Sequence, residues 1–160
     1  MGQGERGEKA ELSLRRVVTG HDQRGKAVVA SDTILTASAP RPGQEALAIW
    51  GAAPIPCDNL LPAGAEAMSG SRLPEGAVFR VVSYLPGSSG NMHRTQTLDF
   101  GIVLDGGIIL ELDDGVEVAL GAGDALVQRG TIHRWINRGD KSCTIAFVLV
   151  DAMPIDSEPG

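Results

Sequence analysis

From Phe79 onward, short apolar segments alternate with turns built from glycine, aspartate and asparagine, and this punctuation predicts a run of β-strands. Phe79 to Leu85 is rich in β-formers and closes at Pro86-Gly87. Thr97 to Leu104 is apolar enough for a buried strand and stops at Asp105-Gly106-Gly107. Ile108 to Leu112 and Val116 to Leu120 straddle Asp113-Asp114-Gly115, an Asp-Gly turn of the kind that marks a hairpin. Ala125 to Gln128, His133 to Ile136 and Cys143 to Val150 complete the set, parted by Gly121 to Asp124, Arg129 to Thr131 and Asn137 to Asp140. Short antiparallel strands at this spacing predict an all-β sandwich or barrel.

Upstream the pattern is looser. Arg15 to Thr19 and Lys26 to Ala30 flank the polar stretch Gly20 to Gly25 and read as a first pair of strands, and Leu47 to Trp50 reads as another. Ala52 to Gly76 holds four prolines and three glycines with little periodicity, which predicts a long irregular loop acting as a lid or a packing arm. The chain divides into a polar tail at 1–13, a single domain at 14–153 with its barrel segment at 79–150, and a second tail at 154–160.

Composition supports that division. A chain of 160 residues suits one core. With 21 glycines, 9 prolines and 4% aromatics, no stretch of helical length keeps its apolar period unbroken. Apolar runs such as Ala146 to Val150 fall far short of the ~20 residues that cross a bilayer, and the start MGQGERGEKAELSLRR has no apolar signal core, so the expected location is cytoplasmic, with no membrane partner. A formal charge of −6 with scattered Lys and Arg argues against nucleic acid, whose phosphates need concentrated positive charge. Cys57 and Cys143 lack metal-type spacing and read as two reduced thiols, with a disulfide left open.

The chemistry concentrates in two short stretches. Among the 3 histidines of the chain, His93 follows Gly87 by six residues, Asp99 follows His93 by six, and Gly106 follows Asp99 by seven. Farther on, Gly123-Asp124 opens a segment in which His133 precedes Asn137 by four residues. These stretches resemble the two motifs of the cupin superfamily. The first is a Gly, a pair of His one apart, a Glu and a Gly; the second is a Gly-Asp opening followed by His and Asn. The match covers Gly87 to Asn137. It departs from the pattern at Thr95, where the second His would stand, and at Asp99, where Glu would stand. The second motif is also one residue short, with Gln128-Arg129-Gly130-Thr131 in place of the usual Pro and Gly.

The resemblance implies a double-stranded β-helix, a jelly-roll-like barrel with His93, Asp99 and His133 converging inside it. It also implies a homodimer that exchanges or aligns edge strands, as small cupins commonly do. Two imidazoles and one carboxylate suit a divalent metal with open positions, iron in a facial arrangement, or else zinc, manganese or nickel. Equally open is a barrel without metal in which His93 and His133 are hydrogen-bonding or acid/base groups.

Thr95, Gln128 and Trp135 are candidate pocket residues, with Arg80 and Arg94 joining them if strand alternation turns them inward. Trp50, Tyr84 and Trp135 could equally be core anchors. His21, at a turn outside the motifs, is excluded from the site, and Asp124 and Asp113-Asp114-Gly115 are explained by turn chemistry. The expected function is a metal-assisted enzyme working dioxygenase, decarboxylase or isomerase/lyase chemistry on a small organic metabolite. The alternatives are a non-catalytic small-molecule binding or sensing domain, and a metal-free dehydratase or isomerase.

Overall fold

A computed structural model describes residues 11–60 and 71–155. Eleven strands follow in order: β1 (Ser13–His21), β2 (Ala27–Thr36), β3 (Ser38–Arg41), β4 (Gln44–Ala52), β5 (Ala77–Tyr84), β6 (Thr97–Asp105), β7 (Gly107–Glu111), β8 (Glu117–Gly121), β9 (Ala125–Arg129), β10 (Arg134–Ile136) and β11 (Cys143–Asp151). Among the described residues the only helical element is a 3₁₀ turn at Asp113–Gly115, and no helix is long and apolar enough to cross a membrane.

The strands form a six-stranded sheet in the order β3-β4-β5-β11-β6-β9, a three-stranded sheet in the order β10-β7-β8, and a separate β1-β2 hairpin. All pairings are antiparallel. The inner faces of the two larger sheets meet in one core, with Val78, Val82, Val103, Cys143, Ile145, Phe147 and Leu149 on one side and Ile108, Leu110 and Trp135 on the other. Val78 and Ile145 are sealed from solvent, and full burial of such side chains contributes about 1.5–3 kcal/mol each. This is the double-stranded β-helix.

The predicted strands are all present, with β1 and β2 longer than the apolar pattern suggested. β1 runs to His21, so that residue ends a strand instead of sitting in the turn, and it stays exposed. β3 had no sequence signal, being a short edge strand with no alternation to read. Of the long loop, residues 53–60 and 71–76 carry no strand. Its end is fastened to β11, where Arg72 pairs with Asp151 at 2.7 Å and the Glu75 N–H donates to the same carboxylate. The rest of the loop, with most of both predicted tails, lies outside the described residues. Cys57 and Cys143 are both free thiols. Cys143 is in the core, where burial pushes its thiol up to about 11, so it remains neutral.

One expectation needs correcting. β6 is not buried on both faces: Thr97, Asp99, Gly101 and Val103 point inward, while Phe100, Ile102 and Leu104 stand on the outer face, exposed. Alternation made two sets of side chains, and the polar set faces the core.

Candidate functional site

The site begins with a backbone contact. His93 and His133 form an isolated antiparallel bridge in which each N–H donates to the other's carbonyl at 2.9 Å. Directly opposed residues on antiparallel chains point the same way, so the two rings come together with centroids 4.5 Å apart. Gly87 starts the approach in a left-handed conformation at φ 72°. From there the chain runs beside β10, with Gly90 N–H donating to Trp135 O and Asn137 N–H to Ser88 O. The first motif is thus stitched to the second along its length.

Both rings are oriented alike. Nδ1 of His93 lies 2.9 Å from the Asn91 carbonyl, and Nδ1 of His133 lies 2.9 Å from the Thr131 carbonyl, two residues earlier in each case. A carbonyl can only accept, so the neutral rings carry their proton on Nδ1 and keep a lone pair on Nε2. Gln128 meets the same Nδ1 of His133. The atom that faces it is Gln128 Nε2, and because His133 Nδ1 already donates to the Thr131 carbonyl, the contact is satisfied only with the amide turned over so that its oxygen accepts. Oε1 is buried without a partner among the described residues.

Asp99 sits on β6 directly across from Gln128 on β9, both facing inward and both buried. Burial pushes its carboxyl above the ordinary range, opposed by the nearby Thr97 and Thr95 hydroxyls and by His93. Thr95 Oγ1 donates to Asp99 Oδ2 at 3.4 Å, while Asp99 Oδ1 and Thr97 Oγ1 are buried without hydrogen-bond partners among the described residues. Burial moves His133 the other way, below its usual value; the Thr131 carbonyl opposes that shift and the neighbouring His93 adds to it.

Trp135 lies in the core, edge-on to both His133 and Phe147, and forms a wall of the site. Arg80 shares the inner-facing set of β5 with Val78 and Val82 and is half-buried. Arg94 is exposed and lines a cleft of ≈270 Å³ with Thr95, Thr97, Leu98, Arg129 and Met153. Thr97 escaped the sequence reading; its signal was its position two residues before Asp99 on the same strand. Asn137 is a structural residue. Its Nδ2 donates to Tyr84 O and Lys141 O, and its Oδ1 accepts from Gly139 N–H. Asp124 closes its turn by accepting from Gly121 N–H.

The donors present, two imidazole Nε2 atoms and an unpartnered carboxylate oxygen, are of the type that divalent metals take. Their placement fits less well. Among the described residues no group of three His, Cys, Asp or Glu side chains is close enough to hold a metal ion.

Comparison with known proteins agrees with this architecture. The cupin domain model matches residues 80–150. Over 145 residues the chain is 30% identical to a cupin-domain-containing oxidoreductase, fogC, of Aspergillus ruber, covering 85% of this chain and 71% of that protein. The chain belongs to the cupin family. This cupin is also 47% identical over 88 residues to phomopsin biosynthesis cluster protein C' of Diaporthe leptostromiformis, covering 54% of this chain and 47% of that protein. Its match to that protein and to two similar ones spans about half of their length. Among solved structures, an RmlC-like cupin from Shewanella frigidimarina is similar at a TM-score of 0.49 and 13% identity, covering 72% of this chain and 83% of that one.

Proposed function

We propose that this cupin is an enzyme acting on a small organic molecule, with His93 and His133 as a proton-transfer pair and Asp99 as the buried carboxyl beside them. One observation carries the reading: two imidazoles with centroids 4.5 Å apart, each tied down at Nδ1 and neither with a hydrogen bond at Nε2 among the described residues. An imidazole so oriented can take a proton from a bound substrate. Burial keeps His133 neutral to lower pH than an ordinary imidazole, which is the state a base requires. Burial makes Asp99 hold its proton to higher pH than an ordinary carboxyl. Neighbouring groups pushed apart in this way suit an acid and a base. Thr95 donates to the carboxyl and also lines the cleft flanked by Arg94 and Arg129, although His93, Asp99 and His133 do not line that cleft themselves. The names of the relatives, oxidoreductases and biosynthesis-cluster proteins, support a small-molecule enzyme.

A second reading, metal assistance, is favoured by the unpartnered Oδ1 of Asp99 and by the Nδ1-to-carbonyl contacts, an arrangement common to metal-ligating histidines. His93, Asp99 and His133 supply the donor types such an ion takes, but their side chains do not stand close enough together to hold it as they are placed.

The test is turnover of a panel of hydroxy acids, aromatic acids and β-keto acids by tag-free protein, with elemental analysis of the same sample. Proton transfer at the pair predicts conversion without stoichiometric metal, reduced about 10²–10⁴-fold in His93→Ala and in His133→Gln. Stoichiometric Fe, Zn, Mn or Ni that is lost in Asp99→Ala favours the second reading. Binding without conversion overturns both in favour of a sensing domain.

A further inference from the structure

Four arginines pair with carboxylates: Arg15 with Asp32, Arg72 with Asp151, Arg134 with Glu111 and Arg138 with Glu117. Arg41 and Arg80 make no such pair among the described residues, yet the register of the sheet places both on one face. Arg41 on β3 stands opposite Gln44 on β4, and Gln44 opposite Tyr84 on β5, so the three side chains point the same way. That way is inward, because the Tyr84 ring lies 5.8 Å from that of Trp135 in the core. Arg80 lies four residues before Tyr84 on the same strand and faces inward with it.

The surroundings give these two cations room and no counter-charge. On β4 the same face carries Ala46 and then Ala48, the partner of Arg80, and two alanines fill little space. Glu45, between Gln44 and Ala46, points to the opposite face by alternation. Arg80 is half-buried. Burial lowers the proton affinity of its guanidinium, Tyr84 opposes that shift, and the like charge of Arg41 adds to it. Two positive groups brought together with one of them partly desolvated are an unfavourable arrangement until an anion joins them.

We propose that Arg41 and Arg80 form a binding site for the carboxylate of a small organic acid, with Tyr84 as the aromatic wall against which the rest of the molecule lies. A guanidinium presents a planar fork of donors that matches the two oxygens of a carboxylate. Inorganic phosphate offers oxygens of the same kind, but the apolar floor of Ala46 and Ala48 beside an aromatic ring suits a ligand with an organic body. Tyr84 also links this site to the imidazole pair, since its ring meets Trp135 and Trp135 stands 6.1 Å from the His133 ring. The inference names the substrate class for the activity proposed above and rests on that reading for its place in the reaction, whereas binding itself is measured without turnover.

Isothermal titration of the full chain with benzoate, benzamide and inorganic phosphate at low ionic strength tests this. Benzoate is expected to bind saturably, and benzamide, which has the ring without the charge, about 10-fold more weakly. Arg80→Met keeps an apolar stem and removes the charge, and Arg41→Gln alters an exposed position that leaves folding intact. Each is expected to weaken benzoate about 10–100-fold, the loss of a charge-assisted hydrogen bond, while Arg24→Gln, at the exposed turn between β1 and β2, changes nothing. Because burial and Arg41 both disfavour the charge on Arg80, Arg80→Met is expected to melt no lower than wild type, an outcome that a purely structural arginine would reverse. His133→Gln is expected to bind benzoate as wild type does, which separates a failure of this site from a failure of the catalytic reading. Benzoate that does not bind wild type, that binds no better than benzamide or phosphate, that is untouched by both arginine substitutions, or that is lost in His133→Gln overturns the proposal.

Discussion

Asp99 and Gln128 face each other across β6 and β9, a carboxyl and a carboxamide both buried and each left with one unpartnered atom. That pairing makes the centre of the site an expensive place for a negative charge.

The first prediction concerns stability against pH. Because burial raises the Asp99 carboxyl, the folded state holds that proton more tightly than the unfolded chain does. Its contribution is therefore complete below the unfolded value of 3.8 and is lost as pH rises through the folded value. Asp99→Asn removes this loss. At pH 7 the variant is expected to be more stable by about 1 kcal/mol, or about 3 °C in Tm. Wild type and variant should converge toward pH 4 in urea melts; a variant that is less stable than wild type at pH 7 refutes the account.

His133 carries the opposite sign. With its folded value below the usual 6.5, the unfolded chain takes up the proton first, so stability falls as pH drops from 6.5 toward that folded value. Thermal melts between pH 7 and 5 should show the decline in wild type and a flatter profile in His133→Gln. The imidazole resonance of His133 should titrate with a midpoint under 6.5, and a midpoint above it contradicts the burial argument.

Two motif glycines should differ in their tolerance. Gly106 has φ +78°, and a Cβ there would meet Ser142 O at 2.4 Å, whereas at Gly87, φ +72°, a Cβ would meet nothing within 4 Å. Gly87→Ala is expected to cost about 1–2 kcal/mol from left-handed strain alone, and Gly106→Ala clearly more because backbone must also move. Equal losses in denaturant melts would remove the steric explanation.

Asn137 satisfies two carbonyls and one N–H between the end of β5 and the turn before β11. Asn137→Ala leaves all three unmet in a buried place, a loss of about 3 kcal/mol, or roughly 9 °C in Tm. Because the residue touches neither imidazole in the hydrogen-bond pattern, the surviving folded fraction should titrate His133 as wild type does. A shifted His133 midpoint would mean that Asn137 acts on the site itself.

The strands, the turns and the two motif stretches were legible because their signals are local. An Asp-Gly after an apolar run ends a strand wherever it occurs, and left-handed positions such as Gly87 and Gly106 are marked by the residue that tolerates them. The pairing of His93 with His133 was legible only through a resemblance, since their bridge joins segments 40 residues apart. β3 left no trace in the pattern, and Thr97 was hidden because a threonine in a strand ordinarily signals nothing beyond β-propensity.

The sequence by itself determined which residues alternate, where the chain turns, and that two imidazoles and a carboxylate fall within one run of strands. Tertiary structure alone decided the phase. A period of two sorts side chains into two sets without saying which set is inside. In β6 the choice fell to its neighbours, because Leu149 on one side and Gln128 on the other place Asp99 and Thr97 toward the core and turn Phe100 and Ile102 out. The same choice made the buried site polar and left the outer sheet apolar, a result that no window of residues along the chain contains.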